Sequence, residues 1–221
     1  MTTTGDARAR RIDVRDESLG GVLDRRLDGR FEVDPWGYDR DLAGVVGLVA
    51  RARWDTALDG ADLVPRGGAL VVHDQGLDPA TPAILAAAFA RHLGRTVRPV
   101  GQPDWSPLGP WLARLGMVPR TAADTRALLR AGALVAVPLG RSWRGEPSSF
   151  ADLDLVAAAH AVGAPLLPVA VGGRLLGRRR PVVVGAPVPT RRRRRIGAAD
   201  ALAAEIADRV VALADLADLE D

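Results

Sequence analysis

The chain has 221 residues, 48% of them apolar, which is enough for one sizeable core, and nothing in its middle reads as a linker between two cores. It has no cysteine and three histidines, at 73, 92 and 160, which excludes disulfides and thiolate metal sites and argues against a histidine-rich metal cluster. The net charge of +3 hides an uneven spread: no acid lies between Asp154 and Asp200, while arginines gather at Arg174, Arg178 to Arg180 and Arg191 to Arg195 as a basic face.

Residues 1 to 30, dense in arginine and aspartate and interrupted by Gly20 and Gly21, read as a flexible charged extension, and residues 31 to 221 as one α/β domain. The start MTTTGDARARR has no apolar signal-peptide core, and no stretch nears the roughly 18 apolar residues that span a bilayer. The expected location is the cytoplasm, with docking on the inner face of the cell membrane as an option.

In FEVDPWGYDRDLAGVVGLVARARW, Pro35 and Gly37 mark a turn, and Asp39 or Asp41 caps a helix running to about Arg53. Leu42, Val45, Val46, Val49 and Ala50 share a face of it that is expected to pack on the core; the sharper alternative is an interfacial helix, with Trp36, Tyr38 and Trp54 near its ends. After a loop from Gly60 to Gly68, residues 69 to 72 form a buried strand that delivers His73 to its end, with Asp78 five residues on. A helix from about Pro82 to Leu93 follows, stopped by Gly94, with His92 at its end as a cap or surface residue.

TVRPV reads as the second strand, and a short apolar helix ends near Gly116. Thr121 caps a helix through Arg130, and ALVAV forms a third strand that closes on the polar loop PLGRSWRGEPSS. Such a loop at the carboxyl end of a strand is where α/β proteins place ligand groups. Ser148 or Ser149 starts the helix FADLDLVAAAHAVG, where His160 reads as structural; LLPVAV and PVVVG give the fourth and fifth strands. From Asp200 an amphipathic helix places Leu202, Ile206, Val210 and Leu213 in register. Strands alternating with helices predict an α/β fold, a single domain with a mixed, mostly parallel central sheet flanked by helices.

Chemistry centres on GALVVHDQGLDP. A histidine at a strand end with an aspartate nearby can act as a general base, the carboxylate fixing its tautomer and stabilising the imidazolium; without other support, such a pair is more often structural. The order of further landmarks adds that support. HDQGLD, from His73 to Asp78, resembles the His-x4-Asp motif of the glycerolipid and lysophospholipid acyltransferase superfamily, with Val72 where an asparagine usually lies. WSPLGPWLARLGMVPR, PLGRSWRG and GAPLLPVAV resemble its later blocks in order, and FEVDPWGYDRDL is similar to a soluble bacterial branch. Within PLGRSWRG, Leu139 replaces the family's glutamate and Ser142 falls on its arginine column, with Arg141 and Arg144 alongside.

The resemblance implies an O-acyltransferase of phospholipid biosynthesis, of 1-acylglycerol-3-phosphate acyltransferase type. His73 would be the base oriented by Asp78, and an acyl group would move from acyl-CoA or acyl-carrier protein to a glycerolipid hydroxyl, with no cofactor and no metal. Arg120, Gly140, Arg141, Ser142 and Arg144 are the candidate substrate-binding residues, because guanidinium groups offer paired donors to phosphate oxygens and glycine permits close backbone approach. Asp74 is the nearer acid but reads as a bystander. The alternatives are a catalytically silent lipid- or acyl-binding protein on this fold and, ranked lower, nucleic-acid binding through the basic face, which lacks aromatic residues to stack on bases. The run from Arg191 to Arg195 reads as a solvated turn, able to meet anionic lipid.

Overall fold

The five apolar runs become the middle of one seven-stranded sheet in the computed structural model, which describes residues 33–74, 78–101, 108–138, 150–174, 177–190 and 197–219, the side chains of 150–152 and 218–219 excepted. The strands are β1 (Leu58–Asp59), β2 (Ala69–His73), β3 (Val97–Gly101), β4 (Val118–Pro119), β5 (Leu134–Pro138), β6 (Leu166–Val171) and β7 (Val182–Val184). Their order across the sheet is β1-β7-β6-β2-β5-β3-β4. Every pairing is parallel except β6 with β7, so the sheet is mixed and mostly parallel, as expected. β1 and β4 escaped the sequence reading because two residues carry no period.

The helices are α1 (Arg40–Arg53), α2 (Thr81–Leu93), α3 (Gly109–Arg114), α4 (Ala122–Arg130), α5 (Phe150–Val162) and α6 (Ala198–Leu219). Local chemistry sets their ends. Asp39 caps α1 by accepting from Leu42 N at 2.9 Å, Thr121 caps α4 by accepting from Asp124 N at 3.1 Å, and Gly94 closes α2 at φ 62°. The extension at 1–30, the serines expected to cap α5 and the arginine run at 191–195 lie outside the described residues.

β2 is buried along its whole length, which is why it reads as a continuous apolar run: helices cover both of its faces. Alternate residues serve two cores. Leu70 and Val72 pack with α4, α5 and α6 through Leu128, Leu155, Leu202 and Ile206, whereas Ala69 and Val71 pack with α2 through Leu85 and Phe89. Burying each such Leu or Phe contributes about 1.5–3 kcal/mol. By the same alternation His73 faces the α2 side.

The expected apolar face of α1 is only half covered. Leu42 and Ala50 are buried, but Val46 is 37% and Val49 65% exposed, because the helix meets α2 and α3 along one narrow edge. No helix among the described residues is long and apolar enough to cross a membrane.

Candidate active site

His73 is the last residue of β2, the central strand, and is 5% exposed. Its Nδ1 lies 2.8 Å from the carbonyl oxygen of Asp74. A carbonyl only accepts, so Nδ1 carries the proton and Nε2 keeps its lone pair. Burial pushes the imidazole below its ordinary range, opposed by the Asp74 carbonyl bond and then by the Asp74 carboxylate. The result is a histidine held neutral, in one tautomer, with its basic nitrogen unclaimed among the described residues.

Asp78 has partners of its own. Its Oδ1 accepts from Ala80 N at 2.9 Å and its carbonyl from Thr81 N at 3.2 Å, so it shapes the start of α2. Its Oδ2 stands 2.5 Å from Nη1 of Arg180. Two ties therefore stand at this end of β2: main chain at Asp74 meets the His73 ring, and Arg180 meets Asp78. Asp74, read as a bystander, supplies the ring's partner through its backbone.

Arg180 also departs from the sequence reading. It is 2% exposed and so belongs to the interior, not to the basic face with its exposed neighbours Arg178 and Arg179. Its Nε donates to Gly172 O at 2.9 Å, beside the end of β6. The one available signal was its place at the start of the PVVVG strand, where a third consecutive arginine turns inward.

Arg120 follows β4, whose Pro119 is level with His73 when the registers of β3 and β5 are extended. Three strand spacings separate them, about 14 Å at roughly 4.8 Å each, so Arg120 shares the sheet's carboxyl edge with His73 without sharing its immediate contacts. Gly140, Arg141, Ser142 and Arg144, with Leu139, lie outside the described residues; they follow β5, whose last residue Pro138 pairs with His73. His92 is exposed and donates from Nε2 to Thr56 O at 2.9 Å, and His160 sits on α5, so neither joins the site. Among the described residues no group of three His, Asp or Glu side chains is arranged to hold a metal ion.

A feature the sequence did not disclose is an apolar groove of about 260 Å³ on the same face of the sheet as His73, between α1, α2 and α3. Small residues make it: Gly47 and Ala50 from α1, and Ala83 and Ala87 from α2, leave the room that larger side chains would fill. Pro79, next to Asp78, reaches one part of its wall, and Leu112 and Met117 line another. No periodicity announces such a space, since it exists only where three elements meet.

No protein-family model matches the chain, and no curated protein matches it. A similar solved structure is that of the 1-acyl-sn-glycerophosphate (LPA) acyltransferase PlsC from Thermotoga maritima, which is 18% identical, covers 88% of each chain and superposes with a TM-score of 0.55. At that identity the likeness establishes the fold: a single α/β domain with a mostly parallel seven-stranded sheet flanked by helices.

Proposed function

We propose that the chain is an acyltransferase that moves a fatty acyl group from acyl-CoA or acyl-carrier protein to a hydroxyl of a glycerolipid acceptor, lysophosphatidate or similar. The observation that carries this reading is His73: neutral by burial, fixed as the Nδ1–H tautomer by Asp74 O, and standing at the carboxyl end of the central strand. The order of sequence blocks and the fold shared with an acyltransferase support it.

In this reading Nε2 takes the proton of the acceptor hydroxyl as the oxygen attacks the thioester carbonyl. The C–S bond then breaks and the imidazolium returns its proton to the leaving thiolate, so the histidine ends as it began. Asp74 O holds the ring through both steps. The groove takes the acyl chain, and Pro79, next to Asp78 in the chain, is part of its wall. Arg120 and the arginines after β5 serve phosphate groups of donor or acceptor. The exposed Val46 and Val49 and the exposed Leu108 and Trp111 at α3 form the side that rests on a lipid surface.

The test is release of free thiol from long-chain acyl-CoA by the purified protein, with and without glycerol-3-phosphate, lysophosphatidate, lysophospholipid or diacylglycerol. Acceptor-dependent release is expected, and its absence with every acceptor and either donor class would overturn the reading.

The groove makes a separate prediction. A Cβ built at Gly47 meets nothing within 4 Å, and Gly47 lines the groove, so Gly47→Leu adds bulk to that space from a position open to a side chain. Activity with a long-chain donor should fall by about tenfold or more relative to a short-chain donor, since each excluded methylene removes binding. Removing a mid-helix glycine should leave the melting temperature unchanged or raise it. An unchanged chain-length profile would move the acyl chain out of this groove.

A further inference from the structure

Arg180 is an arginine in the interior that the proposed chemistry does not use. Its guanidinium connects two places: Gly172 O at the end of β6, by a 2.9 Å hydrogen bond from Nε, and Asp78 Oδ2, 2.5 Å from Nη1. Side-chain exposure is 3% for Arg180 and 13% for Asp78, so the pair is shielded from solvent. Asp78 Oδ2 makes no directed hydrogen bond, so the link is mainly Coulombic.

The surrounding backbone is fixed on both sides. Arg180 N donates to Asp55 O at 2.9 Å, and Gly172 N donates to Pro181 O at 2.9 Å. Gly172 itself is confined, since a Cβ there would fall 2.5 Å from Ala217 O of α6. The arginine thus springs from backbone held by hydrogen bonds, while Asp78 is bonded to the start of α2. Asp78 ends the segment that leaves β2 at His73, and Asp74, whose carbonyl sets the His73 tautomer, begins it.

We infer that Arg180 is a positioning residue for His73: by clamping Asp78 to the end of β6 it fixes the far end of the segment whose near end, Asp74 O, holds the imidazole. β6 is the direct neighbour of β2, with Val169 paired to His73, so the clamp crosses a single strand boundary. This rests on the acyl-transfer reading for its kinetic consequence but not for its structural one.

The experiment compares wild type with Arg180→Met, Arg180→Lys, Asp78→Asn and the Arg180→Met/Asp78→Asn double variant. The readouts are melting temperature, kcat and KM for the acyl donor, and ¹⁵N imidazole signals of His73 recorded above neutral pH. Wild type should show one Nδ1–H tautomer. Arg180→Met and Asp78→Asn should each convert it to a mixture and lower kcat about 10- to 100-fold with donor KM within about twofold, since small misplacement of a reacting group is costly. The double variant should be no worse than about twofold below Arg180→Met, because both changes break one link. Arg180→Lys, which keeps the charge and loses the fork, should recover part of the loss.

An Arg180→Met protein that melts lower but keeps the wild-type kcat and His73 spectrum would overturn the inference and leave the arginine a strut. Losses that add in the double variant would overturn it too. Should Arg180→Met fail to fold, the spectra of Asp78→Asn and Arg180→Lys decide in the same way. If wild type transfers no acyl group, the functional reading fails, while the tautomer comparison still tests the clamp.

Discussion

His73→Ala should lower acceptor-dependent acyl transfer by about 10²- to 10⁴-fold, the usual contribution of a positioned general base. Alanine removes both the basic Nε2 and the bond to Asp74 O, so a companion variant separates the two. His73→Asn keeps an N–H able to donate to that carbonyl and supplies no base. Both variants should be inactive, and both should still bind an acyl donor, because His73 does not line the groove. Activity retained in His73→Asn would make the histidine a structural residue and the motif a coincidence of spacing.

The pH dependence follows from the same geometry. Burial lowers the imidazole's affinity for protons, so the rate should hold as pH falls through neutrality, with an acid limb in kcat/KM centred below about 6.5. Stability moves with it. Below about 6.5 the unfolded chain binds a proton at this position while the folded chain still excludes it, so stability present above that pH is lost as pH falls towards the folded value. Melting temperatures taken from pH 7.5 downwards should therefore drop more steeply for wild type than for His73→Ala. Parallel curves would mean that the ring is solvated.

What could be read from the residues, and what could not, divides along physical lines. β2 and its terminal histidine were legible because a strand covered on both faces must be apolar throughout, and ALVV ending in His is that pattern. Asp39, Thr121 and Gly94 were legible because capping is local chemistry. The tie on the imidazole was not, since its acceptor is a main-chain carbonyl that any residue would supply. Charge misled in one place. Arg180 sits in a run of three arginines and looks solvated, yet backbone bonds to Asp55 and the start of β7 carry it into the interior. On α1 the 3.6-residue period revealed an apolar stripe but not what covers it, and half of that stripe faces outward at Val46 and Val49. The other five candidate site residues divide differently: Arg120 follows β4, a strand the sequence did not disclose, and Gly140, Arg141, Ser142 and Arg144 lie beyond the described residues.

Arg98→Met should cost about 3 kcal/mol of folding stability and lower the melting temperature by about 6–12 °C, because it removes one partner from a mostly buried ion pair. Arg98 sits on β3 and is 4% exposed; its Nε donates to Gly116 O at 2.8 Å, its Nη1 to Asp34, and its guanidinium lies 4.8 Å from the centre of the Tyr38 ring. Asp34 in turn accepts from the backbone of Trp36 and of Tyr38, at 2.9 Å each, so it folds the turn that leads into α1. One arginine thus fastens that turn to the sheet. Burial alone would raise the Asp34 carboxyl, but the Arg98 hydrogen bond and charge, with the two backbone donors, hold it below the ordinary aspartate range. The pair's contribution is therefore present above about pH 4 and is lost as pH falls through the lowered value of Asp34. Asp34→Asn should destabilise wild type more than it destabilises Arg98→Met, since the charge it removes has no partner left in the second background. The effect should reach the groove as well: α1 forms one wall of it, and loosening the turn before α1 should blur the discrimination between long and short acyl donors that Gly47→Leu sharpens. A variant that melts with wild type and keeps its chain-length profile would show that packing of Leu42 and Ala50, without the arginine, is sufficient to hold α1 in place.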